Sequence, residues 1–119
     1  MTNDSLQQLW KSYLDAYADI PAAERERLLR QSVADDIVFS NPTGEEGQGF
    51  GNLVEHVSQF QKTNPGGYFT NNELFTHHHQ LLSEWTMHKK DGSTLATAHT
   101  YARFNDQGLL THTTGFWKV

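Results

Sequence analysis

The tetrad Asn64-Pro65-Gly66-Gly67 splits this chain into two halves that repeat with different periods. Before it, apolar residues recur every three or four positions, the spacing of a helix face. After it, the chain is rich in Thr, Phe, Tyr and Trp, the residues of strands. Helices first and an antiparallel meander second is an α+β pattern.

In the first half, Leu6, Leu9, Trp10, Tyr13, Leu14 and Tyr17 share one face of a helix expected over residues 5–18. Ser5 with Gln8 fits a capping box at its start. Asp19-Ile20-Pro21 stops it, and a second helix is expected over 22–31 around Leu28 and Leu29. Ile37, Val38 and Phe39 read as a short strand. Pro42, Gly44, Gly47 and Gly49 read as a loop, and Leu53, Val57 and Phe60 as a third helix. The second half predicts strands at 68–77, 79–89, 94–104 and 109–118, with turns at Asp91-Gly92 and Asn105–Gly108.

The last two strands alternate. Ala96, Ala98, Thr100, Ala102 and Phe104 share one face, joined by Thr113, Gly115 and Trp117. Small residues there leave room for either a helix or a ligand. The opposite face carries His99, Tyr101, His112, Thr114 and Phe116, which predicts a homodimer packed through the sheet.

The chain has 119 residues, a single domain over 1–119. Its formal net charge of −5 argues against a nucleic-acid groove and against an anionic membrane surface. It has no cysteine, hence no disulfide framework and no thiolate chemistry. No apolar run approaches the roughly 20 residues that span a bilayer, and the polar start does not read as a signal peptide. The expected setting is cytoplasmic.

Taken in order, Ala34-Asp35-Asp36, Asn41-Pro42, the helix opened by Gly49, Ala102-Arg103-Phe104-Asn105 with Gly108, and Gly115-Phe116-Trp117 resemble the nuclear transport factor 2-like superfamily, in its SnoaL-like and ketosteroid-isomerase-like branch. The resemblance covers nearly the whole chain. It implies an α+β barrel-like cone: a curved antiparallel sheet wrapped around three helices, with a hydrophobic pocket at the open end and a frequent homodimer. It implies a small apolar ligand and no cofactor. It leaves two functions open: a cofactor-free isomerase- or cyclase-type enzyme on a small carbonyl compound, or a non-catalytic ligand-binding or dimerisation domain.

Steroid isomerisation needs a carboxylate base and an oxyanion hole of Tyr and protonated Asp. The resemblance puts Asn41 in the base position and Thr100 in that of the protonated Asp. An amide takes no proton near neutral pH, which argues against that mechanism here. Asn41 then either caps the turn at Pro42 or binds a substrate oxygen. Tyr13 and Tyr17 are either core aromatics or donors to a bound oxygen. His56 is either a helix-edge residue or a general base. Trp85 and Trp117 are either core or pocket walls, and Thr100, Ala102, Phe104 and Thr113 complete the expected wall. Glu45 and Glu46 reach the pocket only if their loop folds over its mouth. His77, His78 and His79 are expected on a strand, facing alternate sides, and His99 and His112 opposite each other. No metal site is expected, since neither a Cys nor a pair of His at helical i, i+4 spacing occurs.

Overall fold

The computed structural model describes residues 3–44 and 46–119. Three helices, α1 (Asn3–Asp15), α2 (Ala22–Ser32) and α3 (Phe50–Thr63), are joined to six strands: β1 (Val33–Ser40), β2 (Gly47–Gln48), β3 (Tyr68–His77), β4 (Gln80–His88), β5 (Thr94–Phe104) and β6 (Leu110–Phe116). The strands form one curved, open sheet in the order β2-β1-β6-β5-β4-β3. The helices fill its concave side and complete the expected cone. Strands β3 to β6 are the antiparallel meander that the alternation predicts. The sheet as a whole is mixed, because β1 lies parallel to β6, with Ser40 opposite Thr114.

Local chemistry accounts for the boundaries that differ from expectation. Helix α1 already includes Asn3, so Ser5 lies inside it and not at its cap. Helix α2 starts at Ala22 as expected, with Pro21 as its N-cap, and runs one residue longer, to Ser32. Strand β1 starts at Val33, directly where α2 ends, because Val33 is already extended at φ −125. A register break between Val33 and Val38 takes up Asp35 and Asp36, which stay exposed and hid the first half of the strand from an apolar pattern. Gly47-Gln48, expected as loop, pairs with Phe39 and Val38. His78 and His79 are not on a strand. They form the two-residue β3–β4 turn at φ 49 and φ 60, the positive φ that a type I′ turn requires at both centres.

Two polar side chains, buried Arg25 and half-buried Gln61, tie the helices together. The Arg25 guanidinium donates to the carbonyls of Ala16 and Ala18, each at 2.9 Å, satisfying groups that the end of α1 leaves open. Its charge also suits the negative end of that helix. The Gln61 amide donates to Tyr17 O at 2.8 Å and Gly67 O at 2.9 Å and accepts from Gly66 N. It thereby holds the end of α1 and the Asn64–Gly67 turn against α3.

One end of the cone is solid. Trp10, Leu29, Ile37, Leu53, Leu81, Ala102 and Leu110 are almost wholly buried there. The other end, where β1 and β6 finish and β5 begins, is not filled. Among the described residues, no helix is long and apolar enough to cross a membrane.

Candidate functional site

At the unfilled end a cavity of about 650 Å³ lies between the sheet, α3 and the end of α1. Small side chains keep it open: Ala96 and Ala98 on β5 and Gly115 on β6 all face it. Around it the fold gathers Tyr13, Tyr17, Asn41, His56, Trp85, Thr100, Thr113 and Trp117. Ala102 and Phe104 do not join them. Ala102 is fully buried in the core beside Leu81. Phe104 packs on the core from its edge, with its ring 5.4 Å from that of His79. Both share the face of Ala98 and Thr100 but lie farther along β5, where helices occupy the space.

Asn41 caps its turn and keeps a free hand. Its Oδ1 accepts from Thr43 N at 3.0 Å and from Thr43 Oγ1 at 2.9 Å. A backbone N–H can only donate, so the amide oxygen must face Thr43. The Nδ2 group, without a partner among the described residues, is left to donate elsewhere.

Tyr13, Tyr17 and Thr113 form a hydroxyl chain. Tyr13 Oη lies 3.0 Å from Tyr17 Oη and 3.5 Å from Thr113 Oγ1. Three hydroxyls joined by two contacts have one proton left to offer. Burial raises the pKa of Tyr13, and raises that of Tyr17 well above the ordinary phenol value; both stay neutral donors at physiological pH.

His56 is half-buried on α3, its ring 5.1 Å from that of Phe39. Desolvation lowers its pKa below the ordinary 6.5, so it is the neutral imidazole at pH 7. Among the described residues it has no hydrogen-bond or ion-pair partner. Phe39 in turn is held from behind by β2: a Cβ at Gly47 would collide with the Phe39 ring. A glycine at 47 leaves the Phe39 ring its place against His56.

On the sheet side, Trp85 Nε1 donates to Thr100 Oγ1 at 2.9 Å, which leaves the Thr100 proton free to donate. Phe69 meets Trp85 edge-on at 5.0 Å, and Trp117 meets it at 6.0 Å. Strand β6 ends at Phe116, so Trp117 belongs to a tail that folds back over Gly115. A Cβ at position 115 would come within 2.6 Å of Trp117 Cζ3. Glycine is what admits the indole. Lys118 also reaches the cavity, and no described Asp or Glu lines it.

Sequence reasoning passed over Phe39, Phe69, Gln59, Gly47 and Lys118. Phe39 was legible as the residue two beyond Ile37 on β1. Lys118 was not, because strand alternation stops at Phe116. Glu46 is exposed and does not line the cavity; Glu45 lies outside the described residues. The remaining histidines sit elsewhere. His77 Nδ1 contacts His78 Nδ1 at 2.9 Å on an exposed turn, and His79 pairs with Asp106 at 3.2 Å. His99 and His112 do not face each other: His99 pairs with Phe116 and His112 with Arg103. Among the described residues, no group of three or more His, Asp or Glu could hold a metal ion.

A family model described as the SnoaL-like domain matches residues 11–113. No curated protein matches the sequence. Among solved structures, a SnoaL-like family protein from Agrobacterium tumefaciens, provisionally assigned as an isomerase, superposes with a TM-score of 0.87 at 19% identity, covering 98% of this chain and 99% of that one. A SnoaL-like protein from Burkholderia thailandensis gives 0.74 at 13%, covering 100% and 99%. A provisionally assigned polyketide cyclase from Sinorhizobium meliloti gives 0.72 at 16%, covering 94% and 98%. At these identities the likeness is one of fold.

Proposed function

We propose, from the premise that this chain belongs to the SnoaL-like domain family, that its cavity binds a small, largely apolar carbonyl compound and moves a proton on it, as an isomerase or cyclase does. The observation that carries the reading is His56: a neutral imidazole on the cavity wall, unpartnered among the described residues. An imidazole nitrogen takes the proton from the carbon next to the carbonyl, and the electron pair moves to the carbonyl oxygen. The Thr100 hydroxyl and the spare proton of the Tyr13–Tyr17–Thr113 chain are the donors available to that oxygen. The imidazolium then returns the proton at the same or a neighbouring carbon. These steps call for no redox group and no cofactor. The names given to the A. tumefaciens and S. meliloti neighbours are compatible with such chemistry.

The test is exchange of α-protons for deuterium, followed by NMR on a panel of cyclic ketones in D2O. The expected result is enzyme-dependent exchange that His56→Gln abolishes. Exchange at an unchanged rate in His56→Gln would exclude His56 as the base. A thermal-shift screen chooses the panel, since a ligand at 100 times its Kd adds about 2.7 kcal/mol.

A second reading is a ligand-binding domain without catalysis, favoured by the lack of a described carboxylate in the cavity wall. It predicts saturable binding with no α-proton exchange.

We propose separately that the protein is a cytoplasmic homodimer packed through its sheet face. Phe75, Leu82 and Tyr101 lie side by side across β3, β4 and β5 on the outer sheet face. Phe75 is 58% exposed and Phe116, beside His99, 56%. A second copy would cover these rings. Light scattering at micromolar concentration should give twice the chain mass; the mass of one chain would overturn the assignment.

A further inference from the structure

Resting on the reading of the cavity as a small-molecule site, we propose that its ligand is an organic acid, with an apolar body among the aromatic walls and an ionised carboxylate held at the rim by Lys118 and the Asn41 amide.

The topology brings those two groups to one edge. Strand β1 runs parallel to β6 with Ser40 opposite Thr114, so the residues that follow each strand leave the sheet side by side. Asn41 and Thr43 follow β1; Trp117 and Lys118 follow β6. Strand β5 begins at the same end, since His99 lies opposite Phe116. Asn41, Thr43, Ala96, Thr97, Trp117 and Lys118 all line the cavity at this end.

Among the described residues the polar groups there are unbalanced. Lys118 is exposed, and among the described residues it has neither an ion pair nor a hydrogen bond. Asn41 has spent its acceptor on Thr43 and keeps its Nδ2 donor. No described carboxylate lines the cavity. An ammonium and an amide donor lining one cavity accept no hydrogen bonds, and the ammonium repels a cationic ligand. A carboxylate satisfies both, through a charge-assisted bond to one and a neutral bond to the other. The lysine stem lets the ammonium stay in water at the mouth while the ligand body goes deeper. The chain carries −5 overall, so its general field does not draw anions in; the selection is local to this rim.

Isothermal titration calorimetry with 2-naphthoic acid and 2-naphthamide tests the proposal, because the two are alike in shape and differ in charge. The acid should bind roughly fivefold more tightly, the size of one solvent-exposed ion pair. Lys118→Met should bring the acid down to the amide and leave the amide unchanged. Lys118→Arg should keep the preference. Equal binding of acid and amide to the natural protein would overturn the proposal and leave the cavity reading standing. So would a preference that survives Lys118→Met. Failure of both probes to bind would overturn the proposal together with the reading beneath it.

Discussion

The inward face of β5 carries one pattern from end to end, Ala96, Ala98, Thr100, Ala102, Phe104, yet its two ends do different work. Ala102 belongs to one buried cluster with Leu81, Ile37, Leu53 and Leu110. Around Ala98 and Thr100 the helices stand back, and the space is lined by hydroxyls, amides, an imidazole and indoles. Alternation along a strand reports which face a residue takes. It does not report what stands opposite, and that alone separates core from cavity here.

The sharpest way to test the contrast is to damage each end and read both stability and binding. Leu81→Ala at the solid end should cost about 2–5 kcal/mol of stability, read by urea denaturation. Binding per folded molecule should be unchanged. Thr100→Val lies at the boundary. It leaves the buried Trp85 indole without its acceptor and should cost about 1–3 kcal/mol, with a shift in Trp emission. Trp117→Ala at the open end should cost only about 1 kcal/mol, since the ring is half-buried. Ligand affinity should nevertheless fall roughly tenfold or more if the indole is a wall of the site. Gly115→Ala should copy that binding loss by displacing the ring. If Leu81→Ala weakens binding more than Trp117→Ala does, the two ends are not separate.

The smallest effect is one of pH. The folded-state pKa of His56 is depressed by desolvation. Above the unfolded value near 6.5 both states are neutral there, and the group contributes no pH dependence. As pH falls below that value the unfolded chain takes the proton more readily, so stability declines until the folded pKa is passed. His56→Gln should flatten that slope in a pH series of thermal melts, and an unaltered slope would assign it to other groups.

Much of the fold could be read from period alone. The break at Asn64–Gly67 and the inward set on β5 and β6 follow from spacing, as do strands β3 and β5 residue for residue. What escaped depended on partners distant in sequence. Strand β2 has two residues and exists because β1 lies beside it. Arg25 looks like a surface cation in a run of charges, and its burial follows from where α1 happens to end. His78 and His79 carry no turn signal, since glycine or asparagine is the usual choice at positive φ. At the candidate site, Tyr13, Asn41 and His56 could be named as residues. That Asn41 keeps only its donor, and that Lys118 swings to the rim, required the turn and the tail to be seen.

The parallel pairing of β1 with β6 also bears on how the chain comes into being. On the ribosome, β1 is made well before its longer partner β6, with four further strands between them. Until β6 emerges, the Ile37-Val38-Phe39 segment has one edge without a ladder, held on the other side by only the two residues of β2. Such distant pairings form slowly and leave sticky edges open while they wait. Exposed Asp35 and Asp36 are well placed to guard that edge from other chains. The strand that ends the wait is also the one that carries Thr113 and Gly115 and delivers Trp117. Completion of the sheet and completion of the cavity therefore fall together.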